Sequence, residues 1–423
     1  MALKSKRLPH QPWRIMAAAK AARADPALRA RDRGAGGHDG YFEGLSKALK
    51  RAGIAEPTLV IDRQRLAANI ETVRYALESS PVALRVVAKS LQAPALLALV
   101  LEGTGTDRLM VFNGVMLQEI TAFRPRADVL LGRPLPAAQV EAFVRRHATD
   151  SVPAARPQWL VDSPRRLAQY ADIARAHGSP MRISLEIDVG LHRGGLQGDA
   201  ALAEVVDQAL SEPLFEIAGL MGYDAHAAGA PSPAAEIERV KARYGKARTI
   251  LGEQLGRDPA GLTLNTAGSP TYALHLDDAV ANEVAVGSAF VKPTHFDLPS
   301  LASHIPAAFI AEPVLKAVAP ALIPRLEALA GDLEAIDPNT ARGFFLYGGY
   351  GDARPVSPPG LAWSPLFGGR SMLTGSARVE LGEDDFVFMR PTESEGVFLQ
   401  FGAIAVYDGK EIAGRWPTFE VAA

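Results

Sequence analysis

The chain has 423 residues, of which 48% are hydrophobic and 22% charged, and a formal net charge of −2. This is ordinary globular material, too long for one hydrophobic core, with no general electrostatic attraction to nucleic acid or to an anionic membrane. The absence of cysteine excludes disulfides, thiolate zinc sites and a cysteine nucleophile and fits a cytoplasmic protein, and no apolar run approaches a membrane span.

Residues 1–40 are basic and alanine-rich, carrying Lys4, Lys6, Arg7, Arg14, Lys20, Arg23, Arg29, Arg31 and Arg33 and ending in Gly34-Ala35-Gly36-Gly37. The segment lacks the apolar core of a secretory signal. Its few acidic residues are compatible with a transit peptide; the reading adopted is an N-terminal arm that wraps a partner subunit. From Pro57 the pattern alternates strand and helix. Residues 58–62 read as a strand, with Asp62 capping an amphipathic helix through Leu66, Ile70, Val73 and Leu77. Further strands are predicted at 84–89, 109–112, 129–132, 158–162, 182–188, 218–223, 262–265 and 282–287. About eight strands, each followed by a helical or loop segment, predict an α/β fold: a closed (β/α)8 TIM-like barrel over residues 41–299. A doubly wound open sheet is the alternative, but no Gly-x-Gly-x-x-Gly follows the first strand. Beyond Pro299, short runs at 344–347, 377–380, 386–389, 396–399 and 404–407, with an Asp408-Gly409 hairpin signal, predict a C-terminal all-β domain over residues 300–423.

Lys89 ends an apolar, β-branched run bounded by Pro81 and Pro94. A strand-end lysine is commonly a snorkelling side chain. The sharper reading is a Schiff-base lysine, activated by desolvation and joined to a carbonyl cofactor. In a barrel the carboxyl ends of the strands form the active site. Those ends carry Asp188-Val189-Gly190-Leu191-His192-Arg193-Gly194-Gly195, Gly222-Tyr223-Asp224-Ala225-His226, Asn265-Thr266-Ala267-Gly268-Ser269 and Gly287-Ser288. The last two are small, hydroxyl-bearing turns whose backbone N–H groups can cradle a phosphate. Each alone is an ordinary turn, but on one rim beside a lysine they are no longer independent.

The order Val-Ala-Lys-Ser, Asp-Val-Gly-Leu-His-Arg-Gly-Gly, Asn-Thr-Ala-Gly-Ser and Val-Gly-Ser-Ala-Phe resembles the alanine-racemase-type, fold type III pyridoxal phosphate enzymes. Gly219-Leu220-Met221-Gly222-Tyr223-Asp224-Ala225-His226 is most similar to their D-threonine aldolase and D-serine dehydratase branch, including the "amino acid deaminase/aldolase" proteins. The resemblance runs from about Tyr41 to the last residue, and more loosely over the β domain. It implies pyridoxal 5'-phosphate held covalently by Lys89, with Arg193 on a ring heteroatom or on the substrate carboxylate. Thr266, Gly268 and Ser269, with Gly287 and Ser288, would take the phosphate, with Asn265 beside them as a further cofactor residue. Tyr223 and His226 would line the pocket, His226 moving protons or serving as a hydrogen-bonded structural histidine; His192 is read as structural.

Two departures matter. Where the metal-dependent members of that branch carry a His-x-Cys or His-x-Asp pair, this chain has Arg390-Pro391-Thr392-Glu393-Ser394-Glu395-Gly396. Glu393 and Glu395 suit Mg²⁺ or Mn²⁺, or are solvated loop charges. Alanine racemases have an arginine two residues before the glycine matching Gly287, against the pyridine nitrogen; here that residue is Ala285. Against this, Gly349-Tyr350-Gly351-Asp352 resembles the racemase segment that brings a catalytic tyrosine from the partner subunit.

The resemblance implies a lyase acting on D-configured β-hydroxy amino acids, by aldol cleavage or by dehydration and deamination. The alternative is a racemase or epimerase with Lys89 and Tyr350 as opposed bases, and a third class is the non-catalytic pyridoxal phosphate carriers. It also implies a homodimer in which Tyr350 and residues 390–396 act in trans. Trp363, Leu366 and Phe367 can shape the substrate pocket or simply pack.

Overall fold

The computed structural model describes residues 12–147, 156–322, 327–350, 352–364 and 371–420. Eight parallel strands close a barrel: Ala83–Val87, Arg108–Val111, Asp128–Leu131, Gln158–Val161, Met181–Glu186, Phe215–Met221, Thr263–Thr266 and Glu283–Val286. They read as short apolar runs because such strands are covered on both faces. The intervening helices start and stop on local signals. Pro164–His177 is capped by the Ser163 hydroxyl and ends at Gly178, φ 59°; Pro94–Thr104 has proline in its first turn and ends at Gly105, φ 68°. Gly219 is required by close strand approach, since a Cβ there would stand 1.8 Å from the Thr263 carbonyl oxygen.

The amino-terminal end of the barrel is filled by a polar belt. Arg85 is fully buried. Its guanidinium donates to Glu283 (Nε–Oε1 2.5 Å, Nη2–Oε2 3.0 Å), to Asp128 Oδ2 at 3.0 Å and to the carbonyls of Leu109 and Asp128. Gln158 extends the belt to Asp128, Thr263 and Ser184, and Asn265 Nδ2 donates to Glu283 Oε1 at 2.8 Å. A buried arginine is tolerated only with this degree of pairing.

A second buried polar centre follows the strands Phe215–Met221 and Thr263–Thr266. His275 Nε2 lies 2.6 Å from Asp224 Oδ2, and its Nδ1 lies 2.6 Å from Asp278 Oδ2. All three residues are buried. Burial alone would lower the imidazole pKa, but the hydrogen bonds and charges of Asp224 and Asp278 outweigh it and raise His275 from 6.5 to about 9. A raised histidine contributes stability that is complete below its ordinary value and lost as pH rises through its folded value. The protein is therefore expected to lose roughly 3 kcal/mol of stability as His275 gives up its proton between pH 6.5 and about 9. Urea midpoints across that window, with His275→Gln giving the flatter profile, check it.

The second unit combines residues up to Gln64 with Pro306–Glu393 and Ala403–Arg415, while the barrel unit takes Arg65–Ile305, Ser394–Gly402 and the residues from Trp416 onward. The folding units thus cross the boundaries expected at residues 40 and 299. Thr58–Asp62, expected as the first barrel strand, pairs antiparallel with Ala308–Val318 and parallel with Ala403–Tyr407. The alternating rhythm of strand and helix carries no information on pairing partners, and its five residues are buried on both faces as a barrel strand's would be. Pro12–Ala24 and Gly40–Arg51 are helices of this unit. Ile15 packs against Leu333, and Phe42, Leu45 and Leu49 join Phe309, Phe386 and Phe388 in its core. The described part of the expected arm is therefore packed within its own unit.

The strands Arg342–Leu346, Phe386–Pro391 and Ala403–Tyr407 lie where expected. Residues 377–380 instead form a turn with one bridge, Val379 to Gly36. Gly396–Leu399 is a single helical turn, since a four-residue apolar run does not distinguish strand from helix. No helix among the described residues is long and apolar enough to cross a membrane.

Candidate active site

The carboxyl ends of the barrel strands line a cavity that opens to solvent, concave and largely apolar as small-molecule sites are. Lys89 enters it from the one-turn helix Ala88–Ser90, directly after the strand Ala83–Val87. Its Nζ lies 2.6 Å from Glu395 Oε1 and 4.2 Å from the centroid of the Phe112 ring. Lys89 thus has an apolar wall on one side and a carboxylate on the other, a setting that orients an amine. Arg193, from the glycine-rich segment after Met181–Glu186, places its guanidinium 4.7 Å from the Tyr223 ring centroid. Burial raises the Tyr223 hydroxyl pKa against the opposing charge of Arg193.

Two glycine turns follow the neighbouring strands Thr263–Thr266 and Glu283–Val286, on the rim between Tyr223 and Lys89. A Cβ on Gly268 would stand 2.5 Å from the Tyr223 ring edge, and a Cβ on Gly287 would stand 2.8 Å from Ser90 Oγ and from Val87. Only glycine fits at either place. The Ser269 hydroxyl accepts from Gly287 N at 3.0 Å and from Ala289 N at 3.1 Å, tying the turns together. Its two acceptor positions are thereby filled and its proton remains to be donated. Ser288 Oγ shares a 3.0 Å hydrogen bond with Ser90 Oγ. Between strand and turn, Ala267 adopts φ 63°, a conformation that costs a non-glycine residue energy and clusters at functional sites.

Lys89, Arg193, Tyr223, Asn265, Gly268, Ser269, Gly287, Ser288 and Glu395, all expected at the site, line this one cavity. Asn265 does so while its amide donates to Glu283. Thr266 is buried behind the wall, its hydroxyl without a hydrogen-bond partner among the described residues. His226 is not a lining residue: it sits on the short turn Ala225–Gly229 with Nε2 3.4 Å from Glu236 Oε1. His192 is exposed, with Nδ1 2.6 Å from Asp188 Oδ2. Tyr350 and Glu393 belong to the other unit. There the Tyr350 N–H donates to the buried Glu312 carboxylate at 3.0 Å, and Trp363 Nε1 donates to the Ala353 carbonyl at 2.9 Å. Gly351, Leu366 and Phe367 lie outside the described residues.

Ala285, singled out from sequence, lines the cavity; the further apolar lining from Met110, Phe112, Met221 and Phe296 was not singled out, although Phe112 ends a predicted strand and the strand-end rule applies to it. Glu186 was also missed. Burial, then the charges of Asp162 and Asp188, push it up to about 7 against the pull of Arg193. It therefore faces Arg193 as a carboxyl group that titrates near neutrality. Among the described residues no group of three or more His, Asp or Glu side chains is placed to hold a metal ion.

A sequence model of the alanine racemase N-terminal domain matches residues 61–294, more than half of the chain. The chain belongs to this family. A 110-residue segment is 36% identical to alanine racemase of Streptomyces coelicolor, spanning 24% of this chain and 28% of that protein. Among solved structures, D-threonine aldolase from Filomicrobium marinum matches 85% of this chain and 94% of its own, at 18% identity and a TM-score of 0.69. D-threo-3-hydroxyaspartate dehydratase from Delftia sp. HT23 matches 86% and 98%, at 16% identity and 0.66. Alanine racemase from Bacillus anthracis matches 86% and 97%, at 14% identity and 0.63. At these identities the structural matches establish the shared fold.

The alanine racemase-like fold is a pyridoxal phosphate fold, and the residues present fit that cofactor. The cavity has an amine at one side, two turns where a Cβ would collide, hydroxyls at both turns, and apolar walls for a ring.

Proposed function

We propose that this family member is a pyridoxal phosphate-dependent lyase that cleaves D-configured β-hydroxy amino acids. The observation that carries this reading is the Glu395 carboxylate 2.6 Å from Lys89 Nζ, inside the same cavity. An aldol cleavage needs a base for the β-hydroxyl beside the reacting carbon, and a carboxylate so close to the amine that binds the substrate's carbonyl partner meets that need. Ala285 in the wall adds support, since no cation from that strand position opposes electron withdrawal. Lys89 would hold the cofactor, the hydroxyls of Ser269 and Ser288 with the Gly268 and Gly287 turns would take its phosphate, and Arg193 would bind the substrate carboxylate. Pyridoxal phosphate, when bound, draws electrons from whichever bond at Cα breaks. Glu395 accepts the β-hydroxyl proton, the Cα–Cβ electron pair passes to Cα, and an aldehyde departs. Lys89 then supplies the proton that completes glycine.

Because Glu395 is engaged by Lys89, it acts here as a base, and cleavage is expected to survive exhaustive chelation. Glu395→Gln is expected to lower the rate of D-threonine cleavage by roughly 10²-fold or more while leaving the visible absorbance of the bound cofactor in place. Activity restored to the chelated wild type only by Mn²⁺ would instead make Glu393 and Glu395 ligands. Racemisation is the second reading, favoured by the 36% identity to an alanine racemase over 110 residues, with Lys89 and Tyr350 as opposed bases. D-alanine separates the two, because it has no β-hydroxyl to cleave but exchanges its Cα proton in a racemase. A cytoplasmic homodimer whose partner contributes Tyr350 is part of the same proposal.

A further inference from the structure

The buried Asp224, His275 and Asp278 do not line the cavity, yet they are joined to it through one hydroxyl. Thr271 Oγ1 donates to Asp224 Oδ1 at 2.5 Å and accepts from Gly268 N at 3.2 Å. Asp224 follows Tyr223 directly in the chain, and the Tyr223 ring fills the space that a Cβ on Gly268 would need. Both imidazole nitrogens of His275 face carboxylates at 2.6 Å, so both donate and the ring carries its proton. Asp278 is fixed in turn by the N–H groups of Val280 and Ala281. Two chain segments, one after the strand Phe215–Met221 and the other after Thr263–Thr266, are thereby held at fixed separation by buried charged hydrogen bonds. Such bonds are stronger and more directional than neutral ones.

We propose that Asp224, Thr271, His275 and Asp278 are positioning residues: a buried clamp that fixes the Gly268–Thr271 turn against Tyr223 and thereby selects a phosphorylated cofactor over its unphosphorylated form. This rests on the reading of the Gly268 and Ser269 turn as the phosphate site. None of the four touches the cofactor; each acts through the height and orientation of the turn.

The test compares the affinities of pyridoxal phosphate and of pyridoxal for the full-length protein, titrated by absorbance. Thr271→Val is the primary variant, since it removes one hydroxyl while leaving His275 between its two carboxylates, so the fold is kept. It is expected to weaken pyridoxal phosphate by roughly tenfold with pyridoxal unchanged, and Thr271→Ser is expected to restore the difference. His275→Gln is expected to act in the same direction. A Thr271→Val protein that keeps the wild-type preference, or that loses both ligands equally, would overturn the clamp. If the wild type itself binds the two ligands equally, the phosphate-site reading fails and the clamp with it.

Discussion

Lys89→Ala is expected to abolish the visible absorbance that pyridoxal phosphate gives on binding and to reduce turnover by roughly 10³-fold or more, as loss of a covalent catalytic group does. The size of the effect follows from the site. Lys89 is the amine that the Ala88–Ser90 turn delivers into the cavity, and it faces both Glu395 and the Phe112 ring. Its removal takes away the point of covalent attachment and one proton carrier together, and leaves the Glu395 carboxylate without its cation. Folding is expected to be nearly unaffected, because the side chain is 24% exposed. A titration with pyridoxal phosphate followed by absorbance, alongside a thermal melt, separates chemistry from stability. A variant that still develops the absorbance would show that another group holds the cofactor.

Arg85→Met is expected to destabilise the barrel unit by about 3–5 kcal/mol, the usual cost of removing one partner from a buried ion pair. Glu283 is the reason. It is buried and receives two of the Arg85 hydrogen bonds. After substitution it keeps only Asn265 at 2.8 Å and the more distant Arg108 at 3.7 Å. The double variant Arg85→Met with Glu283→Gln is expected to recover much of the loss, because no uncompensated charge then stays buried. Urea unfolding of both variants measures the two values. A single-variant loss below about 1 kcal/mol would mean that water reaches Glu283 and that the belt is solvated.

Much of the site was legible in the sequence because the chemistry lies at strand ends. Lys89, Arg193, Tyr223, the Gly268-Ser269 turn and the Gly287-Ser288 turn each follow a recognisable apolar run, and one topology rule collects them on one rim. Glu395 was visible as a candidate metal ligand or a solvated loop charge, not as a partner of Lys89. Its approach to Lys89 joins positions 306 residues apart, and no local pattern encodes that. The same holds for His275 and Asp224, whose hydrogen bond spans 51 residues, and for Arg85 and Glu283 at 198. His226 looked suitable by residue type and nearness to Tyr223, but the turn Ala225–Gly229 directs it to Glu236. Thr58–Asp62 and residues 396–399 were misplaced for a related reason: a short apolar run fixes neither its pairing partner nor its secondary structure.

The most direct measurement is proton NMR of D-threonine incubated with the wild-type protein and pyridoxal phosphate in deuterated water. Signals of glycine and acetaldehyde appearing at equal rates are the predicted result, with Glu395→Gln slowing both together. Exchange of the Cα proton with the carbon skeleton left intact would contradict cleavage and make the protein a racemase or epimerase.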